Sequence, residues 1–233
     1  NSGATLTTTI NHYVYVGVKR HSKLFDEKYR IVYSTTELRN NIKSIQNDIV
    51  RETLKHCKFK DPIYINSTSD LPSSSGLGSS SAFTVGLLKA VYCLMGIKKN
   101  NKELAQEACH IEINRIKKPI GKQDQYACSV GGINYLKFKP DENVIIKKSV
   151  KVEKFIKKIL SNSLLIWTGI LRPSEVILSK QVKDLKKGLI NDDTLKIKII
   201  CDKFYKEASK YNGKNFSKLN NSFIDSLNKS WLI

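Results

Sequence analysis

Three groups of residues have types and spacings that could do chemistry. Pro72-Ser73-Ser74-Ser75-Gly76-Leu77-Gly78-Ser79-Ser80-Ser81 is a Gly/Ser run that leads straight into a long apolar stretch. Glycines let the backbone approach a ligand, while converging N–H groups and a helix N-terminus favour an anion. Serine hydroxyls add neutral donors and can ligate Mg²⁺. Glu112 is the second group. Leu104, Ala105, Ala108 and Cys109 form one stripe of a helix, and Glu112 follows the last three at i+7, i+4 and i+3, so it points inward with them. An inward carboxylate is costly unless it is paired with a basic side chain or holds a metal, and the pattern leaves both open. Asp124 is the third, in the first turn of a short helix after Pro119-Ile120-Gly121. There it either stabilises the helix N-terminus or offers a carboxylate to a ligand.

The elements that must position these groups follow from periodicity. Tyr13–Val18 and Arg30–Tyr33 alternate as strands, and Leu38, Ile42, Ile45, Ile49 and Val50 repeat at helical spacing to about His56. Pro62–Ser67 is a short strand before the Gly/Ser loop. Ala82–Met95 is a helix, apolar nearly all round and closed by Gly96, so it is expected to be buried. A flexible serine-rich linker would not run directly into such a helix. Asn101 opens a helix to about Ile116, and a shorter one runs from Gln123 to Gly131-Gly132. Strands are expected at Ile133–Phe138, Val144–Lys147 and Leu164–Thr168. Helices are expected over about Ser174–Lys187, Asp193–Lys210 and Phe216–Lys229. The pattern changes after Lys151, which predicts one domain over residues 1–150 and the start of a second over 151–233.

Three familiar phosphate loops are excluded. A Walker A loop needs Lys after its last Gly, where Ser79 stands; a dinucleotide fingerprint needs a third Gly, where Ser81 stands. A protein kinase needs a His-Arg-Asp triplet, and none exists.

Composition narrows the classes. Lys+Arg number 40 against 21 Asp+Glu, a formal charge of +19 over 233 residues. The lysines are spread as pairs with few interleaved aromatics, so a phosphorylated small molecule suits the charge better than nucleic acid. No apolar run approaches a membrane span. Cys57, Cys93, Cys109, Cys128 and Cys201 lack paired metal spacing and read as free buried thiols, which points to the cytoplasm.

Together, the loop with Ala82, Glu112 and Gly121-Lys122-Gln123-Asp124-Gln125-Tyr126 resemble the GHMP kinases, the group of galactokinase, homoserine kinase and mevalonate kinase. The loop looks like their second motif. The Gly-x-x-Asp-Gln-aromatic pattern is close to galactokinase. Within the family the likeness is greatest to bacterial D-glycero-D-manno-heptose 7-phosphate kinases. Four stretches carry it: Leu6–Ile10 with Tyr13–Val16, the loop with Phe83–Leu88, Lys118–Tyr126, and Thr168–Arg172. It covers residues 1–185 well.

The resemblance implies an α+β chain of GHMP kinase fold. Its N-terminal domain would be like ribosomal protein S5 domain 2, followed by part of a ferredoxin-like C-terminal domain. It implies ATP bound by Pro72–Ser81 and Mg²⁺ on Ser80 (chosen over Ser79 and Ser81) and Glu112. Asp124 would be the catalytic carboxylate. Lys122 beside it would neutralise charge, or is a solvated lysine. Thr7, Thr8, Gln125 and Arg172 would meet a sugar phosphate, although Arg172 before Pro173 also reads as a surface residue. The family's first strand and its C-terminal Gly-rich motif would lie before Asn1 and after Ile233, so the chain is expected to be a fragment. The rivals are another sugar kinase, of fucose or galactose type, and a basic nucleic-acid module of S5-like architecture.

Overall fold

Residues 2–73, 75–166, 169 and 174–231 are described by a computed structural model. They form two compact units. One comprises residues 10–130 and 170–179; the other comprises 1–9, 131–169 and 180–233. Strands expected with the first 150 residues thus divide between the units.

In the 10–130 unit, β2 (Val14–Arg20), β3 (Tyr29–Val32), β4 (Thr36–Arg39) and β5 (Ile63–Ser69) form a sheet of order β2-β5-β3-β4. The β3–β5 pair is parallel and the others antiparallel. Ile63 and Ile65 on β5 are fully buried under helices α1 (Asp48–His56), α2 (Ser79–Leu94) and α3 (Asn101–Cys109). Leu54, Leu87, Leu88, Val91 and Ile111 complete this core. A Cβ on Gly86 would come 3.2 Å from Val16 Cγ2, so α2 lies close against β2 at this glycine. Asn100 and Glu103 form a capping box at the start of α3.

Two expectations need correction here. The helix foreseen from Leu38 starts only at Asp48; Leu38 lies in β4 and is half exposed, and a short 3-10 turn covers Ile42–Ser44. The cause is Glu37, whose buried carboxylate accepts from Gln46 N at 2.6 Å and Asn47 N at 2.9 Å, tying β4 to the chain entering α1. Asn47 then caps the helix by accepting from Val50 N. Second, Cys93 is exposed on α2, and only Cys57 and Cys109 are buried.

In the other unit, β1 (Gly3–Thr8), β6 (Ile133–Phe138) and β7 (Val144–Lys147) form an antiparallel sheet of order β1-β6-β7. A helix not foreseen, α5 (Val150–Leu160), begins at a Ser149 cap and buries Val152, Phe155 and Ile156. Those residues pack with Phe204 and Ala208 of α7 (Asn191–Ala208) and Leu219 of α8 (Phe216–Trp231). Helix α6 covers Ser174–Lys186, of which the residues from Lys180 onward belong to this unit. Leu164, Leu165 and Ile166 form no strand and are exposed; the rest of that expected strand, Trp167 and Thr168, lies outside the described residues. No helix among the described residues is long and apolar enough to cross a membrane.

Candidate active site

Strand β5 delivers the chain to the Gly/Ser loop, and α2 begins at Ser79, three residues earlier than periodicity predicts. Ser79, Ser80 and Ser81 are therefore its first turn. Gly78, at the cap position, has φ 74° and makes no side-chain cap. A helix start without a side-chain cap leaves N–H donors for an external acceptor, where the helix dipole favours negative charge. Gly76 is also left-handed, at φ 76°. The loop borders a cleft of about 790 Å³, whose lining includes Gly76, Gly78, Ser80, Glu112, Lys118 and Asp124. The Ser75 hydroxyl is buried in the loop with no hydrogen-bond partner among the described residues.

Glu112 is fully buried, as its spacing predicts, but it stands on a π-helical turn, His110–Arg115, that continues α3. Such turns rotate the residues they carry and are frequent at functional sites. Its two oxygens are shared out. Ser80 Oγ donates to Oε1 at 2.7 Å; Ser81 Oγ and Gln125 Nε2 donate to Oε2 at 2.8 and 2.7 Å. The Lys118 ammonium lies 3.6 Å from Oε1 and donates to Ser80 Oγ at 2.9 Å.

The backbone places that lysine. Lys117 takes a left-handed φ of 68° and folds the chain back past the helix end. Ile116 N then donates to Ile111 O, and Lys118 N to Glu112 O, both at 2.9 Å. Glu112 thus holds Lys118 by its carbonyl and faces it with its carboxylate.

Asp124 opens the first turn of α4 (Gln123–Val130), directly beside the loop: a Cβ on Gly78 would lie 3.6 Å from Asp124 Cγ. Burial pushes its carboxyl above the ordinary 3.8, the nearby Glu112 charge adds to this, and a hydrogen bond from Gln123 opposes it. A half-buried carboxylate with a raised pKa, facing a cleft, suits proton transfer.

The structure thus brings Ser80, Glu112 and Asp124 into one cleft. Lys122 precedes α4 and is not among the residues that line the cleft, whereas the turn at Lys117 brings Lys118 to it. Gln125, expected at a substrate, is fully buried behind Glu112 and orients it. Thr7 and Thr8 lie on β1 in the other unit, where Thr7 Oγ1 donates to Asn134 O at 3.4 Å. Ser74 and Arg172 lie outside the described residues. Lys118 was missed as a site residue because a Lys-Lys pair at a helix end looks like any solvated terminus; the one signal was Pro119, which forces the chain out of the helix there.

Residues 40–132, which carry the loop, Glu112 and Asp124, match the family model of the GHMP kinases N-terminal domain. This segment is similar to a GHMP kinase N-terminal domain. Over 153 residues the chain is 33% identical to the D-glycero-alpha-D-manno-heptose 7-phosphate kinase of Campylobacter jejuni subsp. jejuni, across 65% of this chain and 42% of that protein. The chain therefore spans less than half the length of this curated relative. Among solved structures, a D-glycero-D-manno-heptose 1-phosphate kinase from Bacteriodes thetaiotaomicron is similar with a TM-score of 0.67 and 19% identity, over 94% of this chain and 68% of that one. The Methanococcus jannaschii mevalonate kinase gives 0.66 and 21%, over 98% and 73%. These likenesses are of fold, and the mixed helix and sheet content agrees with the α+β GHMP kinase fold.

Proposed function

We propose that the protein is an ATP- and Mg²⁺-dependent kinase acting on a sugar hydroxyl, with O1 of D-glycero-D-manno-heptose 7-phosphate as the acceptor. The observation that carries this reading is the convergence of the Ser80–Glu112 pair and Asp124 on the uncapped start of α2. The sugar comes from the name of the Campylobacter relative and from the motif likeness to heptose 7-phosphate kinases.

The residues fit both ligands. For the triphosphate there are the left-handed glycines, the first-turn N–H groups without a side-chain cap, and the Ser75 hydroxyl, which has no partner among the described residues. For the metal, Ser80 Oγ and Glu112 Oε1 are hard oxygen donors already turned toward a common cation, the Lys118 ammonium. Mg²⁺ held there would neutralise phosphate charge, which phosphoryl transfer asks for more than covalent help. The chain's own part is positioning and proton transfer. Asp124 accepts the proton of the sugar hydroxyl as its oxygen bonds to the γ-phosphorus and the bond to the β–γ bridging oxygen breaks. Because the Asp124 pKa is raised, turnover should fall on the acid side at a pH above 3.8.

A coupled assay of ADP release with heptose 7-phosphate, galactose, fucose and mevalonate tests the reading. Turnover with the heptose phosphate well above the free sugars is expected. Turnover with free sugars alone would move the protein to another sugar-kinase specificity, and none with any acceptor would end the kinase reading.

A further inference from the structure

We propose that Lys118 is a resident cation of the site, occupying the metal position of the Ser80–Glu112 pair and competing with the divalent ion for the same two oxygens. The inference rests on the reading of Ser80 and Glu112 as metal ligands. Three neutral donors, from Ser80, Ser81 and Gln125, satisfy hydrogen-bonding capacity of the fully buried Glu112 carboxylate but leave its charge unbalanced. The Lys118 ammonium balances it while touching both would-be metal ligands, at 2.9 Å from Ser80 Oγ and 3.6 Å from Glu112 Oε1.

Placement by the main chain makes this more than a mobile surface contact. The Lys118 N–H is fixed on the Glu112 carbonyl, Lys117 holds the reversing turn, and Pro119 restricts the backbone of Lys118 from the other side. A compact ammonium on a flexible stem can hold the carboxylate in place before the metal arrives and yield it afterwards. When the metal takes Ser80 and Glu112, the displaced ammonium remains in a cleft whose other ligand is a triphosphate, so its charge passes from the carboxylate to phosphate oxygens.

A cation that occupies the metal's place must weaken metal binding when nucleotide is absent. Mn²⁺ alone, titrated by electron paramagnetic resonance into the nucleotide-free protein, is the probe. Lys118→Met and the polar neutral Lys118→Gln should each bind Mn²⁺ about tenfold tighter than wild type, the size of coupling usual between groups sharing one polar network. Lys118→Arg should bind it as wild type does. Glu112→Gln should lose the site. If Glu112→Gln loses Mn²⁺ while both neutral Lys118 variants bind it no tighter than wild type, the resident-cation inference fails and the metal reading stands. If Glu112→Gln binds Mn²⁺ like wild type, the metal reading fails and takes the inference with it.

Discussion

Glu107 and Glu112 stand five residues apart on one continuous helical stretch, and both are largely buried, yet they are held in opposite ways. Glu107 is closed off. Lys99 Nζ lies 2.8 Å from one oxygen, and His56 Nε2, 3.0 Å away, and the Tyr92 hydroxyl meet the other. Burial alone would raise its pKa, but hydrogen bonds from Lys99, Tyr92 and His56 outweigh it and the carboxyl titrates below its ordinary 4.5. Glu112 has neutral donors in contact, the Lys118 cation further off, and a cleft in front. Between them the helix changes from α to π at His110, which turns the two side chains toward different neighbours. A buried carboxylate finished by a contact cation is structural; one left with neutral partners and an opening keeps capacity for a ligand. Asp124 extends the contrast, since its pKa is raised where that of Glu107 is lowered.

The largest expected effect is at Asp124. Asp124→Asn should cut turnover about 10³-fold, within the usual range for losing a general base, while nucleotide binding by calorimetry stays near wild type. The same variant should melt higher. The folded state favours the protonated carboxyl, so the ionised form at neutral pH costs stability, and that cost disappears as pH falls through the raised pKa. Full turnover in Asp124→Asn would remove it from the chemistry. At Glu112, exchange for Gln should raise the Mg²⁺ concentration for half-maximal turnover about 10- to 100-fold. Glu107→Gln should act on stability alone. Turnover and its Mg²⁺ dependence stay, and stability drops by about 2 kcal/mol, discounted from the full loss of a buried pair because the site is partly open, or about 4–8 °C in midpoint. A carboxylate with a lowered pKa stabilises above its unfolded value and loses that contribution as pH falls through the folded one. The gap between Glu107→Gln and wild type should therefore close below about pH 4.5. If Glu107→Gln rather than Glu112→Gln shifted the Mg²⁺ requirement, the contrast between the two carboxylates would collapse.

Sequence carried much of this contrast but not its decisive part. The loop composition, the burial of α2 and the inward direction of Glu112 were all legible, because each follows from a local repeat or from residue type. Inwardness could not separate Glu107 from Glu112, since what differs is which distant side chains arrive. Lys99 and Tyr92 come to Glu107, and Ser80 comes to Glu112 from 32 residues away. Lys118 was not legible as a site residue for a related reason: no residue-type signal announces that Lys117 takes a left-handed conformation, and that turn carries Lys118 to the cleft. In the other unit, α5 was missed although Val152, Phe155 and Ile156 have helical spacing and Ser149 is an ordinary cap, because the lysines in and around the stripe masked it.

The smaller effects probe how rigidly Glu112 is held. Ser81 is buried and donates to that carboxylate, so Ser81→Ala should cost about 1 kcal/mol in denaturant unfolding, the usual value of one such hydrogen bond. Its Mg²⁺ requirement should move less than that of Glu112→Gln, because Gln125 still pins the same oxygen. The smallest effect belongs to the turn. Lys117 sits at φ 68°, a region that disfavours any side chain with a Cβ. Glycine there removes that strain but loosens the unfolded chain, so Lys117→Gly should stabilise the protein by less than about 1 kcal/mol. Its effect on the site should be nil if the two backbone hydrogen bonds, Ile116 to Ile111 and Lys118 to Glu112, are what fix the turn. A Lys117→Gly protein that is more stable but weaker in Mg²⁺-dependent turnover would instead mean that the left-handed lysine itself, by resisting other conformations, keeps Lys118 aimed at Glu112.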